Sequence, residues 1–439
     1  MTSITKLFGS FGYNTKLDSF NDEMKFFGKM SILDWCGVAY AGKTEPVSKI
    51  VAEMVKEENG VNQARVITSG HNVSARGAAL ANGATGHALD YDDTHFLFVG
   101  HPTSSALPTA LALGEELNSS IEELLLAYMT GVEVSTRIGH ILGYSHYNAG
   151  FHQTATSGSF GSTIVASKLL GLNEDQTINA LGIVSTRASG IKSQFGTMGK
   201  PYHAGMAASN GIEAAKLSKL GFISREDGIE CDQGFFQTHG WDKKIPPRAI
   251  ENLGDDFLFP EIKYKFHACC HGLHSFLEAL DELKQENNFN PETIEEIEIE
   301  TNPSWLKVCN IEEPKTGLES KFSYKLTAAM SIYGKDTSNL DTYNDEICFD
   351  ENMQKMRDKV RVIPNETLSN TQSKISIKDG SSNIKNNHDL SDEIEKNVLE
   401  TKIVNKSSSL LSKPKSDEIS KILNSKENKV SSLVDCLIK

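Results

Sequence analysis

The sequence predicts a mainly helical protein with a smaller α+β domain, because the period of its apolar residues changes near residue 265. Before that point, apolar residues recur every three or four positions, as in helices. From about residue 290 they alternate with charged residues, as in strands buried on one face. We therefore expect an all-helical domain over residues 1–265, an α+β domain over 266–400, and a final segment, 400–439, that completes the first domain.

Local signals place several helices in the first domain. The helices after Ser120 and Asn173 each begin with a capping box, whose third residue is Glu123 or Gln176. The Ala-rich segment MAASNGIEAAKLSKLG stops at Gly221, a residue typical of helix C-terminal caps. Segments rich in Gly, Ala and Ser, such as TATSGSFGSTIVASKLLG, predict helices that pack closely on one another.

Three segments of the second domain are predicted to be strands. TIEEIEIET places Ile297 and Ile299 on one side and its glutamates on the other, and KVRVIP is the second strand. SKISIKDGSS runs into a turn at Asp379 and Gly380. Beyond residue 388 the chain is rich in Lys, Glu and Ser, which predicts one or two surface helices, with KSSSLLSKPKS as a loop.

Composition limits the classes of function. The 439 residues are 38% hydrophobic, enough for two domains with sizeable cores. No run of eighteen apolar residues appears and the N-terminal residues lack a signal-peptide core, so we expect a cytoplasmic protein. Seven scattered cysteines are typical of free thiols in a reducing compartment. The net charge of -14 disfavours nucleic acid and anionic membranes as partners, but a small anion can still bind where lysines converge.

The segment GHALDYDDTHFLFVGHP, residues 86–102, concentrates acidic and histidine side chains. Three interpretations stay open. DYDDT is a helix terminus whose charges interact with the helix dipole. It supplies metal ligands, although no His-x3-His pair lies within it. Or its carboxylates orient and tune imidazoles for acid–base chemistry on a polar substrate.

The segment GTMGKPYHAGMAASNGIEAA places Lys200 and His203 just before the Ala-rich helix. It is not a phosphate-binding P-loop, because Pro201 stands where Ser or Thr is required. A lysine beside the free N–H groups of a helix N-terminus suits a small anion. The alternative is a surface lysine in a glycine-rich turn.

The segment KYKFHACCHGLHSFLEAL is dense in soft metal ligands. His267 and His271 are four positions apart and would share a helix face, which suggests zinc. Adjacent cysteines on a helix, however, point about 100° apart and do not easily close one tetrahedral site. The other interpretations are packing of small buried cysteines and a catalytic site supplied by Lys265 and His274.

Six segments, taken together and in order, resemble the MmgE/PrpD family, which includes 2-methylcitrate dehydratase, cis-aconitate decarboxylase and iminodisuccinate epimerase. They are GHALDYDDTHFLFVGHP, GFHQTATSGSFGS, GTMGKPYHAGMAASNGIEAA, CDQGFF, IKYKFHACCHGLH and KFSYKLTAAM. The resemblance implies an all-helical domain with a smaller α+β lid domain. It also implies a homodimer that uses no metal and no organic cofactor.

The resemblance also implies a set of active-site positions. They fall on Asp90, Thr94, His101, His152, Lys200 and Lys265, to which we add His203, His274 and Cys270 as candidates for substrate binding. We expect the two lysines to bind substrate carboxylates and the histidines at 101 and 152 to act as general acid and base. Asp90 and Thr94 are expected to fix the orientation of one imidazole.

The chemistry that the resemblance implies makes or consumes a carbanion-like centre next to a carboxylate of a small di- or tricarboxylate. A hydro-lyase resembling 2-methylcitrate dehydratase is favoured, with an iminodisuccinate-type epimerase as the alternative. Cis-aconitate decarboxylation is disfavoured, because that branch carries His at the position of Cys270 and Tyr at that of Leu326. A carboxylate-binding or scaffold protein without activity is the alternative from another class.

Overall fold

The computed structural model describes residues 3–380 and 382–439. The chain divides into two compact units. The first contains the described residues up to Tyr264 together with Ile403–Lys439, and the second is Lys265–Lys402. The first unit is mostly helical and the second mixes helices with a sheet, so the predicted fold class is confirmed. Among the described residues, none of the helices has the length and apolar character needed to cross a membrane.

The helices follow the chain in this order. The first unit holds α1 (Ile4–Asn14), α2 (Asp22–Gly42), α3 (Pro46–Glu57), α4 (Ala75–Gly86), α5 (Thr103–Glu116), α6 (Ile121–Asn148), α7 (Thr156–Leu169), α8 (Glu174–Val184), α9 (Gly199–Lys219), α10 (Phe235–Thr238) and α11 (Pro247–Ile250). The later helices are α12 (His274–Glu286), α13 (Pro303–Leu306), α14 (Gly317–Ser320), α15 (Tyr324–Ile332), α16 (Asp345–Phe349), α17 (Glu351–Arg357), α18 (Lys396–Leu411), α19 (Lys413–Leu423) and α20 (Val430–Ile438).

The strands form two sheets. The helical unit contains a short antiparallel pair, β1 (Ala64–Arg65) and β2 (Asn72–Val73), which the sequence did not predict. The second unit contains β3 (Ile294–Thr301), β4 (Val360–Pro364), β5 (Gln372–Asp379) and β6 (Ser382–Asp389), in the order β4-β3-β5-β6. β3 pairs parallel with β4 and antiparallel with β5, which pairs antiparallel with β6.

The predicted helix caps are confirmed. The Ser120 side chain accepts a hydrogen bond from the Glu123 backbone N–H and the Glu123 carboxylate accepts one in return, and Asn173 and Gln176 form the same reciprocal pair. Gly221 follows the end of α9 with φ of +92°, a left-handed conformation that glycine adopts without strain. These devices involve residues at most three or four positions apart, which is why the sequence alone reveals them.

The predicted close packing of small residues is confirmed where α4 meets α9. A Cβ added at Gly83 would lie 2.7 Å from the Cα of Gly205, and one added at Gly205 would lie 2.1 Å from the backbone oxygen of Leu80. The two helix backbones therefore touch, and a side chain at either glycine would force them apart. This contact fixes the C-terminal end of α4 relative to α9. His87 of the candidate site follows directly after α4, and Lys200 and His203 lie in α9.

The sheet of the second unit confirms the three predicted strands. Ile297 and Ile299 of β3 are fully buried, whereas the alternating Glu296, Glu298 and Glu300 are partly exposed. The fourth strand, β6, was not predicted, because its sequence SNIKNNHD has almost no apolar residues and thus no hydrophobic alternation. Its pairing with β5 makes it a strand, and α12 packs against both.

The prediction of a loop in the C-terminal segment is wrong. KSSSLLSKPKS is not a loop, because α18 continues to Leu411 and only Ser412, at φ +90°, separates it from α19. Pro414 lies in the first turn of α19, where its missing N–H costs nothing. Helices do close the chain as predicted, although three of them, α18, α19 and α20, follow residue 395 where one or two were expected, and α20 buries Leu433 and Leu437.

Candidate active site

Four segments of the helical unit bring imidazoles, carboxylates and one lysine together. The C-terminal end of α4 and the turn after it supply His87, Asp90 and Asp92, the residues before α5 and α7 supply His101 and His152, and the first turn of α9 supplies Lys200 and His203. We call these seven residues the histidine–aspartate cluster.

Asp92 holds two imidazoles of the cluster. Both of its carboxylate oxygens lie 2.9 Å from Nδ1 of His87, and one lies 3.2 Å from Nδ1 of His101. The Ser104 hydroxyl donates to the same oxygen at 2.6 Å. Burial opposes the charged form of Asp92, but the neighbouring His101 and His87 outweigh it and hold the pKa of this carboxyl well below its ordinary value. Asp92 is therefore an ionised anchor.

His87 presents a buried basic nitrogen. Burial lowers its pKa to about 4, against the opposing influence of Asp92, so the ring is neutral at pH 7. Since Nδ1 faces Asp92, that nitrogen carries the proton and Nε2 carries the lone pair. Nε2 of His87 is buried and has no hydrogen-bond partner among the described residues. Such a nitrogen is suited to accept a hydrogen bond or a proton from a bound ligand or water.

Asp90 links His101 to Lys200 at the accessible edge of the cluster. One carboxylate oxygen of Asp90 accepts a hydrogen bond from Nζ of Lys200 at 2.6 Å and lies 3.3 Å from Nε2 of His101. Asp90 has a left-handed backbone, with φ of +52°, which aspartate tolerates better than most residues. The side chains of Asp90 and Lys200 are 35% and 17% exposed. The alternative of a solvated lysine in a glycine-rich turn does not fit this paired, largely covered side chain.

His152 and His203 form a pair of neutral imidazoles. Their Nδ1 atoms lie 3.1 Å apart, so one must donate and the other accept, and the two cannot both carry a proton there. Burial lowers the pKa of His152 well below its ordinary value, with Lys200 and His87 adding to the effect. Burial, His87 and Lys200 lower the pKa of His203 to about 4. The Phe195 ring packs edge-on against His152, with centroids 5.0 Å apart, and helps to keep water away.

The structure thus brings together five of the residues named from the sequence: Asp90, His101, His152, Lys200 and His203. The backbone of Thr94 exchanges two hydrogen bonds of 2.8 Å with that of Lys263. The side chain of Thr94 is buried. Its expected role in orienting an imidazole stays a prediction.

The expectation of free N–H groups at the start of α9 is wrong. The backbone N–H of Gly199 donates to the Thr197 hydroxyl at 3.0 Å, and that of Lys200 donates to the Thr197 carbonyl at 3.3 Å. Pro201, the next residue, has no N–H. Attraction for an anion at this point therefore comes from the Lys200 ammonium rather than from the helix terminus.

Sequence reasoning missed His87, Asp92, Ser104 and Phe195 as parts of the site. His87 and Asp92 lie inside the acidic and histidine-rich segment 86–102, but nothing local shows that a histidine ending one helix meets an aspartate five residues later. Ser104 and Phe195 gave no signal of their own. All four are identified by contacts that exist only once the helices have packed.

The helix-terminus interpretation of DYDDT is wrong, because these residues lie between α4 and α5. Asp93 is buried and accepts a hydrogen bond from the Thr103 hydroxyl, and burial raises its pKa well above the ordinary value in spite of that bond. His95 has a structural environment, with Nε2 2.8 Å from the Leu258 carbonyl oxygen. Asp93 and His95 therefore stabilise the turn.

The cluster also contains side chains of the types that bind metal ions. Ligand atoms of His87, Asp90, Asp92 and His101 all lie within 4.8 Å of one another, so the argument from ligand spacing in the sequence was incomplete. The Lys200 ammonium, however, already lies 2.6 Å from Asp90 and repels a second cation beside the same carboxylate. Independence from metal stays a prediction.

Lys265, Cys270 and His274 belong to the second unit. Lys265 and Cys270 are buried, and the Cys270 N–H donates to the Lys321 carbonyl at 2.9 Å. His274 is packed edge-on against two other histidines, with ring centroids 5.2 Å from His267 and 4.9 Å from His271. Burial, followed by these histidines and Lys265, lowers the pKa of His274 well below its ordinary value.

The expectation that residues 267–271 form a helix is wrong. Residues 267–270 are not helical, a 3-10 turn spans His271–Leu273, and α12 begins only at His274. His267 and His271 therefore do not share a helix face. Nδ1 of His267 instead lies 2.7 Å from the Thr337 hydroxyl, and its Nε2 lies 3.5 Å from the Glu278 carboxylate.

The helical unit contains buried neutral imidazoles, anchored carboxylates and a paired lysine, and an α+β unit follows it in the chain. These groups are the ones that acid–base chemistry requires. Comparison with known families agrees with this architecture. Residues 7–247 match the MmgE/PrpD N-terminal domain and residues 267–427 match the MmgE/PrpD C-terminal domain. The chain belongs to the MmgE/PrpD family.

Individual relatives are similar at about 30% identity. The cis-aconitate decarboxylase of Homo sapiens is 31% identical over 241 residues, 54% of this chain and 50% of the relative. That of Aspergillus terreus is 30% identical over 285 residues, 62% of this chain and 58% of the relative. The cis-aconitate decarboxylase-like protein oryM of Aspergillus oryzae is 28% identical over 272 residues, 58% and 56% of the two chains. The matches thus span little more than half the length of these relatives.

Proposed function

We propose that the protein is a lyase that moves a proton at a carbon next to a carboxylate of a small di- or tricarboxylate. The observation that carries the proposal is the pair of neutral imidazoles, His152 and His203, in one cluster with Lys200. Membership of a family whose relatives are named as decarboxylases of cis-aconitate, a tricarboxylate, supports the substrate class.

Lys200 is the proposed binding group for a carboxylate of the substrate. Its ammonium lies at the accessible edge of the cluster and is held at 2.6 Å from Asp90. A carboxylate that approaches Lys200 also places its neighbouring carbon near the imidazoles. As negative charge develops on that carbon and delocalises onto the carboxylate, the fixed ammonium stabilises it without reorganisation. The role of Lys265 in binding a substrate carboxylate, which the family resemblance implies, stays a prediction that a Lys265→Ala variant tests.

His152 is the proposed base. An imidazole whose pKa is lowered by burial and by Lys200 is unprotonated at pH 7, so its lone pair is available, and a substrate anion bound beside it would raise its basicity. When His203 accepts a hydrogen bond from the Nδ1–H of His152, Nε2 of His152 carries the lone pair and is an acceptor. When His203 donates to Nδ1 of His152, Nε2 of His152 carries the proton and is a donor. The pair can therefore return a proton as well as take one.

His101 is the proposed acid. A carboxylate oxygen lies near each of its ring nitrogens, 3.3 Å away for Asp90 and 3.2 Å for Asp92. The two carboxylates hold the ring in one orientation, and Asp92 is itself fixed by Ser104. A proton delivered from His101 to a leaving hydroxyl would give water, and the same proton delivered to carbon would complete a decarboxylation.

Dehydration in the manner of 2-methylcitrate dehydratase is the reaction we favour. It needs a base for the carbon-bound proton and an acid for the hydroxyl, and the cluster offers the two in separate residues, His152 and His101. Decarboxylation of cis-aconitate is the second candidate, because the relatives described above carry that name. Against it stand Cys270 and Leu326, both buried, at positions where that branch carries His and Tyr.

The deciding experiment is incubation of the full chain with citrate-like, aconitate-like and aspartate-like acids in deuterated water, followed by NMR of the products. An alkene formed with loss of water supports the hydro-lyase, and loss of carbon dioxide supports the decarboxylase. If deuterium enters a substrate carbon and the configuration there is inverted, with no loss of water or carbon dioxide, the protein is an epimerase rather than a hydro-lyase or a decarboxylase. Binding without any change in a substrate, by a protein folded by circular dichroism, would overturn the enzyme proposal in favour of a carboxylate-binding protein.

Metal dependence is tested on the same reaction. We expect turnover to survive dialysis against a chelator, because Lys200 supplies the positive charge beside Asp90 that a metal would otherwise provide. Loss of turnover on dialysis, with recovery on adding back one divalent metal, would instead assign the four close ligand atoms of the cluster to that metal.

A further inference from the structure

The helical unit contains a cavity of about 190 Å³ whose lining residues are separate from the histidine–aspartate cluster. Its polar lining comes from α4, the turn after α8 and α9, through Arg76, Arg187, Ser189, Tyr202, Ser209 and Asn210. Tyr202 precedes His203 of the cluster, but consecutive residues of a helix point about 100° apart. The cavity and the cluster therefore use different faces of α9.

Two arginines meet at this cavity around a single carboxylate. A guanidinium nitrogen of Arg76 lies 2.5 Å from Oε2 of Glu213, and one of Arg187 lies 3.2 Å from the same oxygen. Two positive charges against one negative charge leave a local excess of one, in a chain whose net charge is -14. Each guanidinium has five N–H donors and shares one carboxylate oxygen with the other, so both have donors to offer to a ligand.

The wall of the cavity is fixed and polar. Asn210 and Ser209 are buried, and the Asn210 side chain donates to the Arg187 carbonyl at 3.0 Å, which ties the turn after α8 to α9. Fixed hydroxyl and amide groups beside two guanidiniums are the chemistry that recognises an oxyanion with several oxygen atoms. A purely structural ion pair needs neither the cavity nor a second arginine.

We propose that this cavity is a second binding site, for a small multivalent oxyanion. Both a di- or tricarboxylate and inorganic phosphate have this chemistry and a size that suits the cavity. The site is distinct from the cluster and does not depend on the proposed reaction. An anion would bind between Arg76 and Arg187 and compete there with the Glu213 carboxylate, so Glu213 limits its affinity.

The test is isothermal titration calorimetry of the full chain with citrate, succinate and inorganic phosphate, each at constant ionic strength set with chloride. Arg76→Ala and Arg187→Ala should each weaken binding at least about tenfold, as expected for loss of charge-assisted hydrogen bonds. Glu213→Gln should bind more tightly, because it removes the competing carboxylate. If citrate or succinate binds more tightly than inorganic phosphate, the ligand is a carboxylate. If phosphate binds most tightly, the ligand is a phosphate.

Controls separate this site from the cluster and from general effects of charge. Arg225→Ala removes an exposed arginine that is paired with Asp227 in the same unit and should leave binding unchanged. Lys200→Ala should also retain this binding event, so failure of the proposed reaction and failure of this site give different results. If Arg187→Ala is unstable, Arg187→Lys keeps the charge, loses the planar donor pair and should still weaken binding. No saturable binding to the wild type, equal binding by the arginine variants, or weaker binding by Glu213→Gln would overturn the proposal.

Discussion

Within the part of the chain that the structure describes, one group of buried histidines lies in each unit, and the two groups differ in what surrounds them. In the histidine–aspartate cluster, Asp92 contacts His87 and His101, and the Asp90–Lys200 pair is partly exposed. In the second unit, His267, His271 and His274 pack edge to edge. The carboxylate there, Glu278, accepts a hydrogen bond from Lys402 at 2.6 Å.

The comparison shows that burial of histidines is not by itself evidence of a site. Both groups contain imidazoles whose pKa burial has lowered, namely His87 at about 4 and His274 well below its ordinary value. Only the cluster combines such rings with two carboxylates and a lysine at an accessible edge.

His152→Asn should lower kcat about a thousandfold, because a positioned general base contributes on the order of 10²–10⁴ in rate. The measurement is steady-state turnover of whichever acid the NMR experiment identifies as substrate. His95→Asn is the matched control, a buried histidine of the same unit whose Nε2 faces a carbonyl oxygen. It should lower the melting temperature but leave kcat of the folded fraction nearly unchanged. Equal losses of kcat in the two variants would contradict the assignment of His152.

Lys200→Ala should lower kcat/KM by about thirtyfold, or about 2 kcal/mol of transition-state stabilisation, as expected for loss of a charge-assisted contact. Lys200→Arg should not restore the rate fully, since a planar guanidinium is longer than an ammonium. Lys216→Ala is the matched control on the same helix, because Lys216 also pairs with a carboxylate, that of Glu116 at 2.8 Å. It should change stability slightly and kcat/KM hardly at all. Near-normal kinetics of Lys200→Ala would return Lys200 to a structural role.

Stability should fall as the pH is lowered from about 6.5 towards about 4. Folding lowers the pKa of His87 from 6.5 to about 4, so the unfolded chain takes up this proton first and the stability present at neutral pH is lost on acidification. One such histidine contributes a slope of at most about 1.4 kcal/mol per pH unit. Urea unfolding of the wild type and of His87→Gln between pH 7.5 and pH 4.5 should show a shallower dependence for the variant. Identical slopes would mean that folding does not lower the pKa of His87.

Cys270→Ala should have the smallest effect, a change in kcat of less than about twofold, because proton transfer next to a carboxylate needs no covalent thiol intermediate. Stability should fall by about 1 kcal/mol, a common cost for truncating a buried side chain. Turnover and thermal unfolding of the purified variant test both statements. If a folded Cys270→Ala protein lost activity as completely as His152→Asn, the second unit would supply a catalytic group and the contrast between the two histidine groups would fail.

The sequence by itself determined the parts of the fold that depend on near neighbours. The capping boxes at Ser120 and Asn173, the glycine after α9 and the alternating strand β3 were all predicted and are all present. Each depends on residues a few positions apart, whose hydrogen bonds or burial the local pattern reveals. The six ordered segments were also sufficient to predict the family, which the domain matches confirm.

Contacts between polar residues that are distant in the chain depend on the tertiary structure. His152 and His203 are 51 residues apart, and Lys200 and Asp90 are 110 residues apart, and neither pair leaves a local signal. The strand β6 and the buried face of α20 likewise depend on what they pack against. The glycine contact between α4 and α9 brings the two helix backbones together, with His87 directly after one helix and Lys200 in the first turn of the other. Spacing along a chain determines which atoms are neighbours in one helix or strand, whereas the orientation of imidazoles and carboxylates in a site depends on how separate helices pack.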